Sequence, residues 1–265
     1  MSVIKMEKRG HVALVSFNRP EILNSLGQIG DGDEIRAMCD AINDDQSIRC
    51  MVLTGSGRAF SAGGDLKAMR ARSGSFSGSG PELWEGYRQN IHRAVTALYG
   101  LEVPTIAAIN GPAIGLGCDI ACLMDIRIAS ETATFGATFL KIGLVPGDGG
   151  AWILPRTIGM SRACELLFTG NTIDAATAER WGLVTRIVRP ETLVSEALAL
   201  AEKISMQPPH ALRMTKSLLR QSQSTSLESL LELSKALQAV AHETEDHLEG
   251  VNAVLERRPA VFVGR

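Results

Sequence analysis

Short β-type segments alternate with helical patterns in the first half of this 265-residue chain, and this alternation limits the possible folds more than any other feature. Residues 11–17 and 48–54 are rich in β-forming residues and end in turn sequences. Apolar residues recur at helical spacing in residues 33–42, between these two segments. Residues 105–110 and 125–129 add two further predicted strands. Strands separated by helices predict an α/β fold with parallel strand pairing.

The last third of the chain has a different character. Beyond about residue 175, β-type sequence remains only at residues 183–188. Long amphipathic patterns at residues 192–205 and 227–257 predict helices. Such a terminal helical layer either completes the core of its own chain or packs on another subunit, and the sequence leaves both open.

The composition excludes several classes of function. Hydrophobic residues make up 45% of the chain and charged residues 21%, so the chain can bury a large core. The net charge is −2 and the isoelectric point is ≈ 6.2. Nucleic acid is therefore not an expected partner, because neutralising phosphates requires a large excess of basic residues.

The cysteine count and the apolar segments indicate a cytoplasmic protein. Five cysteines are an odd number without a dense framework, which favours a reducing compartment over a disulfide scaffold. The N-terminal segment carries charges throughout and lacks the apolar core of a signal peptide. The most apolar stretch, residues 103–124, is interrupted by prolines, an asparagine and an aspartate, so we expect no membrane span.

Three short patterns that can mark functional sites are weak here. His242 and His247 resemble a zinc-binding pair, but a spacing of five would put them on different faces of one helix, so we expect no metal. The glycine pair around Leu116 lacks the rest of the dinucleotide-binding pattern. The Gly- and Ser-rich residues 73–80 predict a mobile surface loop, and a lid beside an active site is the alternative.

The first stretch that can carry chemistry is residues 57–66. It follows a predicted strand, and open α/β folds place ligands at the carboxyl ends of their strands. Gly63 and Gly64 permit unusual backbone dihedrals and a close approach of the chain to a ligand. The same residues also fit an ordinary turn between a strand and a helix.

The second stretch is residues 110–119, which follows the third predicted strand and precedes an apolar run that suits a helix. Amides at a helix N-terminus lack intrahelical partners and can donate to an oxygen that gains negative charge. Asp119 lies nearly one helical turn after Leu116 and can abstract or return a proton there. A merely electrostatic role in the first helical turn is an equally supported alternative.

Eight motifs occur in order along most of the chain: NRPEILNSL (18–26), AFSAGGDL (59–66), NGPAIGLGCD (110–119), FG (135–136), GLVPGDGG (143–150), LPR (154–156), FTG (168–170) and AERWGLV (178–184). Together they resemble the crotonase family, also called the enoyl-CoA hydratase/isomerase family. The resemblance implies an α/β fold, namely a ββα spiral over residues 1–200 and a C-terminal helical trimerisation region over residues 201–265. It implies a homotrimer or a dimer of trimers.

The resemblance also implies an acyl-CoA thioester substrate, with coenzyme A as part of the substrate and no separate cofactor. In such enzymes two backbone amides hold the thioester oxygen, and by motif position these are Gly64 and Leu116. Losing one such donor typically raises the barrier by on the order of 3 kcal/mol. The backbone of residues 61–65 would face the CoA adenine. The predicted substrate-binding residues are Ser61, Ala62, Gly63, Asp65, Leu66, Lys67, Gly115 and Phe139.

Two of these predictions leave alternatives open. Lys67 either reaches a CoA phosphate or is simply an exposed lysine. The walls of the acyl pocket cannot be assigned from the motifs, and the aromatic residues Trp84, Tyr87, Phe139 and Trp152 are the candidates.

The chain departs from the typical hydratase at the acidic residues. Hydratases of this family use two glutamates, of which the first falls at Asp119 and the second at Phe139. Phenylalanine cannot hold or activate water, so Asp148 is the candidate replacement, with capping of the next helix as its alternative role. Asp119 matches the aspartate that dienoyl-CoA isomerase relatives carry at that position.

Three functions follow from this resemblance. Hydration of a 2-enoyl-CoA comes first, because it is the commonest activity of the family. A double-bond isomerase that uses Asp119 and Asp148 is the next alternative. A non-catalytic acyl-CoA-binding protein is the third, and the replacement at Phe139 motivates it.

Overall fold

Nine strands in two sheets form the framework of the computed structural model, which describes residues 2–265. In chain order they are β1 (Ile4–Arg9), β2 (Val12–Phe17), β3 (Cys50–Gly55), β4 (Thr105–Ile109), β5 (Ala113–Ile114), β6 (Ile126–Ser130), β7 (Thr134–Gly136), β8 (Thr172–Asp174) and β9 (Arg186–Val188). The larger sheet has the order β1-β2-β3-β4-β6-β9, and the smaller sheet has the order β5-β7-β8.

Twelve α-helices surround the sheets in the same described residues. They are α1 (Asp31–Asp44), α2 (Leu66–Ala71), α3 (Gly80–Gln89), α4 (Ile91–Tyr99), α5 (Leu116–Leu123), α6 (Gly150–Ile158), α7 (Met160–Thr169), α8 (Ala175–Trp181), α9 (Leu193–Ser205), α10 (Pro209–Gln221), α11 (Leu227–His242) and α12 (Glu245–Glu256). Across residues 2–265, none of the helices has the length and apolar character that crossing a membrane requires.

The larger sheet confirms the predicted α/β fold. Strand β1 pairs with β2 antiparallel, and all other neighbours in this sheet pair in parallel. Every residue of β3 and β4 is buried, as expected for central strands that are covered on both faces. The four strands expected from the sequence correspond to β2, β3, β4 and β6. Strand β1 was not predicted, because all but one of its residues are exposed and it lacks a buried apolar face.

Alternate residues of the larger sheet enter two separate cores. Met51 and Leu53 of β3 belong to the main core, whereas Val52 points to the opposite face. That opposite face is covered by α9, which contributes Ala197 and Ala201. The helix predicted at residues 192–205 is thus confirmed, and it completes the core of its own chain.

The C-terminal helices form a layer beyond α9. The long helix predicted at residues 227–257 is divided into α11 and α12, because the Thr244 side chain accepts the N–H of His247 and starts a new helix. No residue of α11 is buried. The predicted domain boundary between residues 200 and 201 falls inside α9, and the division into two regions stays a prediction.

Basic side chains attach α10 to the edge of the core. The Nζ atom of Lys216 lies 2.7 Å from the Val103 carbonyl oxygen and 2.8 Å from a carboxylate oxygen of Asp125. Arg220 pairs with the other oxygen of Asp125 at 2.8 Å. Because Lys216 is buried, these bonds supply the partners that a buried charge requires, and they hold α10 in a defined position.

Candidate active site

Two backbone turns lie side by side at the carboxyl ends of β3 and β4. Ser61 pairs with Ala113 as a parallel bridge, in which the Ile114 N–H donates to the Ser61 carbonyl at 3.0 Å. The Ser61 N–H in turn donates to the Pro112 carbonyl at 3.1 Å. An isolated bridge from Ser61 to strand β5 therefore joins the two stretches that the sequence singled out.

Glycines make this contact possible. Gly63 has a φ of +82°, and a Cβ atom there would overlap the Ile114 carbonyl oxygen and lie 3.3 Å from the Leu116 nitrogen. A Cβ atom on Gly117 would overlap the Ser61 carbonyl oxygen. Larger residues at either position would force the two turns apart.

Two backbone N–H groups at these turns have no acceptor among residues 2–265. In the bridge between Leu26 and Gly64, the bonds run from the Leu26 N–H to Gly63 and from the Asp65 N–H to Leu26, so the Gly64 N–H points away from Leu26. Leu116 is the first residue of α5, and its N–H has no intrahelical partner. Both N–H groups are free to donate to an oxygen with developing charge.

Gly64 and Leu116 line the same cavity, which has a volume of about 230 Å³. Its other lining residues are Ala62, Leu66, Met69, Tyr87, Ile91, Ile114, Gly115, Thr138, Phe139, Lys141, Ile142, Leu144 and Asp148. Asp148 is the only carboxyl group on this wall within the described chain. The cavity thus combines two unpaired N–H donors with one acid.

Asp148 faces the cavity but is almost fully enclosed. Its exposed fraction is 6%, and its Oδ1 atom has no hydrogen-bond partner within residues 2–265. Burial raises the pKa of Asp148 to about 6, and the nearby His92 opposes this shift. The His92 ring also bonds the Gly147 carbonyl at 2.8 Å, which holds the loop.

The alternative role of Asp148 as a helix cap is not what the structure shows. The N-cap of α6 is Gly149, and no side chain makes a cap hydrogen bond there. Gly149 adopts a φ of +103°, and its carbonyl accepts the Ile153 N–H at 3.0 Å. The Asp148 carboxyl is therefore available for chemistry rather than engaged in helix capping.

Asp119 lies behind this wall. It is fully buried on α5, its carboxyl oxygens have no partner in the described chain, and it is not among the cavity-lining residues. A Cβ atom on Gly150 would lie 2.5 and 2.7 Å from its two oxygens, so the carboxyl packs directly against the start of α6. Burial, followed by Cys122 and Asp148, raises the pKa of Asp119 well above its usual value. Its catalytic role stays a prediction.

Phe139 lines the cavity, and it is the residue where the sequence motifs place the second glutamate of hydratases. It is 8% exposed, and a Cβ atom on Gly115 would contact its ring at 3.7 Å. This part of the cavity is consequently apolar. A water molecule there would lack a side chain that could activate it.

The remaining predicted binding residues fall into four groups. Ala62, Leu66 and Gly115 line the cavity, whereas Ser61 and Gly63 are buried in the turn itself. Asp65 caps α2 by accepting the N–H groups of residues 67 and 68. Lys67 is exposed and does not line the cavity, so a contact with a CoA phosphate stays a prediction.

Sequence reasoning identified only part of the pocket wall. Tyr87 and Phe139 line the cavity as expected, but Trp84 is 67% exposed and neither it nor Trp152 reaches the cavity. The missed wall residues include Met69, Ile142 and Leu144. They come from separate segments that no local motif connects, and only the tertiary fold brings them together.

The two histidines that the sequence separated are in fact in contact. The His242 Nδ1 and His247 Nε2 atoms are 2.9 Å apart, because the chain breaks between α11 and α12 instead of continuing as one helix. The expectation that they could not meet was wrong. Within residues 2–265, no group of three His, Cys, Asp or Glu side chains could hold a metal ion.

A fold with these two joined turns, an apolar cavity and an enclosed acid matches one known class of proteins. The sequence profile described as "Enoyl-CoA hydratase/isomerase" matches residues 7–265. The chain belongs to this family, as the sequence motifs predicted, and it is an enzyme of the hydratase/isomerase kind.

Individual relatives cover the chain from end to end. A probable enoyl-CoA hydratase of Mycobacterium bovis is 36% identical over 99% of this chain and 98% of its own length. The 1,2-epoxyphenylacetyl-CoA isomerase of Escherichia coli is also 36% identical, over 96% of this chain and 95% of its own. The crystal structure of an enoyl-CoA hydratase from Bacillus anthracis superposes with a TM-score of 0.92 at 33% identity, covering 99% of this chain and 100% of that one.

The close approach of the two turns predicts the effect of replacing Gly63. We expect Gly63→Ala to lower the free energy of unfolding by about 2 kcal/mol or more, because the new methyl group adds an overlap to an unfavourable backbone angle. Gly74→Ala is the matched control: Gly74 also has a positive φ, but nothing lies within 4 Å of its Cβ position. Urea unfolding measures the free energy of unfolding of both variants. Equal losses of stability in the two variants would contradict the role of the overlap.

Because the carboxyl of Asp148 is buried, we expect Asp148→Asn to increase the stability of the protein in a pH-dependent way. A folded-state pKa of about 6 lies above the unfolded value, so the wild type loses stability as pH rises from about 4 to about 6. The variant should therefore be more stable at pH ~8, by up to about 3 kcal/mol. Thermal unfolding across this range tests it, and a gain that persisted unchanged at pH ~4 would contradict it.

Proposed function

We propose that this enzyme binds an enoyl-CoA and shifts its double bond, with the N–H groups of Gly64 and Leu116 holding the thioester oxygen and Asp148 carrying the proton. The observation that supports it is a single cavity with two unpaired N–H donors and, among the described residues, one lining carboxyl group. Its relatives include an acyl-CoA isomerase as well as hydratases.

The reaction needs only a base that can return its proton. The Asp148 carboxylate takes a proton from C2 of a 3-enoyl-CoA, and the electron pair of that bond moves toward the thioester oxygen. The two N–H groups stabilise the negative charge that develops there. The protonated carboxyl then delivers the proton to C4, the carbonyl re-forms, and the double bond lies between C2 and C3. No atom is gained or lost.

The properties of Asp148 suit both steps. With a pKa of about 6 the carboxyl is mostly ionised at neutral pH, yet its protonated form is accessible. Asp119 is the second candidate for proton transfer, since its buried carboxyl packs against Gly150 at the end of the same loop.

Hydration is the second candidate function. Its support is that relatives of full-length similarity are named enoyl-CoA hydratase and crotonyl-CoA hydratase. Hydration in the family manner requires two carboxyl groups around one water molecule, and here the second position is Phe139. This is why we place isomerisation first.

The substrate assay decides between the two reactions. We expect wild-type enzyme to convert 3-hexenoyl-CoA with a gain of conjugated-thioester absorbance, and to consume crotonyl-CoA much more slowly. Asp148→Asn should lower kcat by at least about 100-fold, because the amide cannot take up the proton. Asp119→Asn is the parallel variant that shows which carboxyl carries the proton.

Other outcomes of this assay count against the proposal. Crotonyl-CoA hydration at a higher rate than isomerisation would favour the hydratase. Binding of both thioesters without turnover would favour the non-catalytic alternative. A larger loss in Asp119→Asn than in Asp148→Asn would reassign the proton carrier.

We also propose a cytoplasmic homotrimer, or a dimer of such trimers. The five cysteines are all free, which supports a reducing compartment. The helices α10 to α12 expose an unusual number of large apolar side chains, which supports their burial against other subunits. These residues are Leu219, Leu227, Leu231, Leu233, Val240, Leu248, Val251, Val254 and Leu255.

Light scattering of the purified protein tests this assembly. We expect a mass of three or six chains, because the exposed apolar helices need a partner surface. Val254→Asp should shift the distribution toward single chains, whereas a charge placed at an exposed polar position such as Gln221 should not. A wild-type mass of one chain would contradict the proposal.

A further inference from the structure

A second and larger chamber opens beside the active-site cavity. It has a volume of about 610 Å³, and half of its lining residues also line the smaller cavity, so the two spaces adjoin. The shared residues are Leu66, Met69, Tyr87, Ile142 and Leu144. The outer chamber adds Arg70, Arg72, Phe76, Gly78 and Leu83.

The charge of the outer chamber is unbalanced. Arg70 and Arg72 are its only charged lining residues, and within residues 2–265 their side chains form no ion pair or hydrogen bond. The acids on the neighbouring helix α3 are engaged elsewhere, since Glu82 accepts bonds from Ser79 and Glu85 pairs with an arginine on its own helix. Two unpaired guanidinium groups therefore remain in a chain whose net charge is −2.

The backbone at Arg72 gives independent support. Arg72 ends α2 with a φ of +49°, the left-handed conformation that glycine adopts most easily at this position. An arginine lies there, although this backbone conformation is less favourable for arginine than for glycine. Strain of this kind is commonly retained at functional positions.

We propose that the outer chamber receives the far end of an acyl group that terminates in a carboxylate, and that Arg70 and Arg72 bind it. The proposal rests on the acyl-CoA binding argued above. Methylene groups would pack on Met69, Phe76 and Leu83, and guanidinium groups bind carboxylates through paired charge-assisted hydrogen bonds. The substrate class is thus a half-thioester of a dicarboxylic acid.

Phosphates of coenzyme A are the other source of negative charge that these arginines could bind. The apolar walls favour the acyl chain, because its methylene groups gain from contact with Phe76, Leu83 and Ile142, whereas phosphate groups do not. The two sources predict different losses of affinity when the arginines are replaced. If the arginines bind an acyl carboxylate, only thioesters that carry one lose affinity. If they bind phosphates, all CoA thioesters lose affinity.

Isothermal titration calorimetry with two saturated six-carbon thioesters separates these cases without requiring turnover. Hexanoyl-CoA ends in a methyl group and adipyl-CoA ends in a carboxylate. We expect wild-type protein to bind adipyl-CoA more tightly than hexanoyl-CoA. The double variant Arg70→Gln with Arg72→Gln should weaken the affinity for adipyl-CoA by about 10-fold or more, and change the affinity for hexanoyl-CoA by less than about 2-fold. Arg36→Gln, an exposed arginine on α1, is the control for loss of charge alone.

Several results would overturn the inference. Equal losses of affinity for both thioesters would show that the arginines bind the phosphates. No loss of affinity for either thioester would show that the arginines do not contact the ligand. Equal or weaker binding of adipyl-CoA by the wild type would also overturn it. If neither thioester binds, the proposed function itself fails, whereas binding without isomerisation would refute only the proposed reaction. Melting temperatures of the variants identify any loss that comes from unfolding.

Discussion

The contact between two backbone turns controls the rest of this site. The turn at residues 61–64 and the turn at residues 113–116 share main-chain hydrogen bonds, and only glycine at positions 63 and 117 lets them approach so closely. This contact leaves the N–H groups of Gly64 and Leu116 without acceptors at an apolar cavity. Unpaired buried donors are unfavourable in the free protein. In the proposed reaction, the thioester oxygen would offset this cost by accepting from both groups as it gains negative charge.

The two buried aspartates differ in how easily they ionise, because they lie at different positions relative to the cavity. Asp148 lines the cavity and retains some contact with solvent, whereas Asp119 is enclosed against Gly150. Asp148 adds to the cost of ionising Asp119, because two negative charges in an apolar region repel. The less enclosed group is the one that can exchange a proton near neutral pH. The environment rather than the residue type therefore selects which carboxyl can act.

Motifs with a local physical cause were predictable from the sequence, and features that depend on distant contacts were not. The strands β2, β3, β4 and β6 have enough β-forming residues to be recognised alone, and the glycines of both turns were visible as motifs. Whether Asp148 caps the next helix was not predictable, because an aspartate before a helix fits both capping and other roles until Gly149 is seen as the cap. The outer chamber could not be foreseen either, since α2, α3 and residues 142–144 meet only in the folded chain.

Phe139 links these observations. A carboxylate at that position would face Asp148 across the same cavity and would raise the cost of ionising it. Phenylalanine adds to the apolar wall instead, and burial raises the pKa of Asp148 to about 6. With phenylalanine at this position, Asp148 is the one carboxyl group that lines the cavity in the described chain, and its pKa lies near neutrality. In the proposed isomerase, Phe139 would therefore account both for weak hydration and for reliance on Asp148 as the proton carrier.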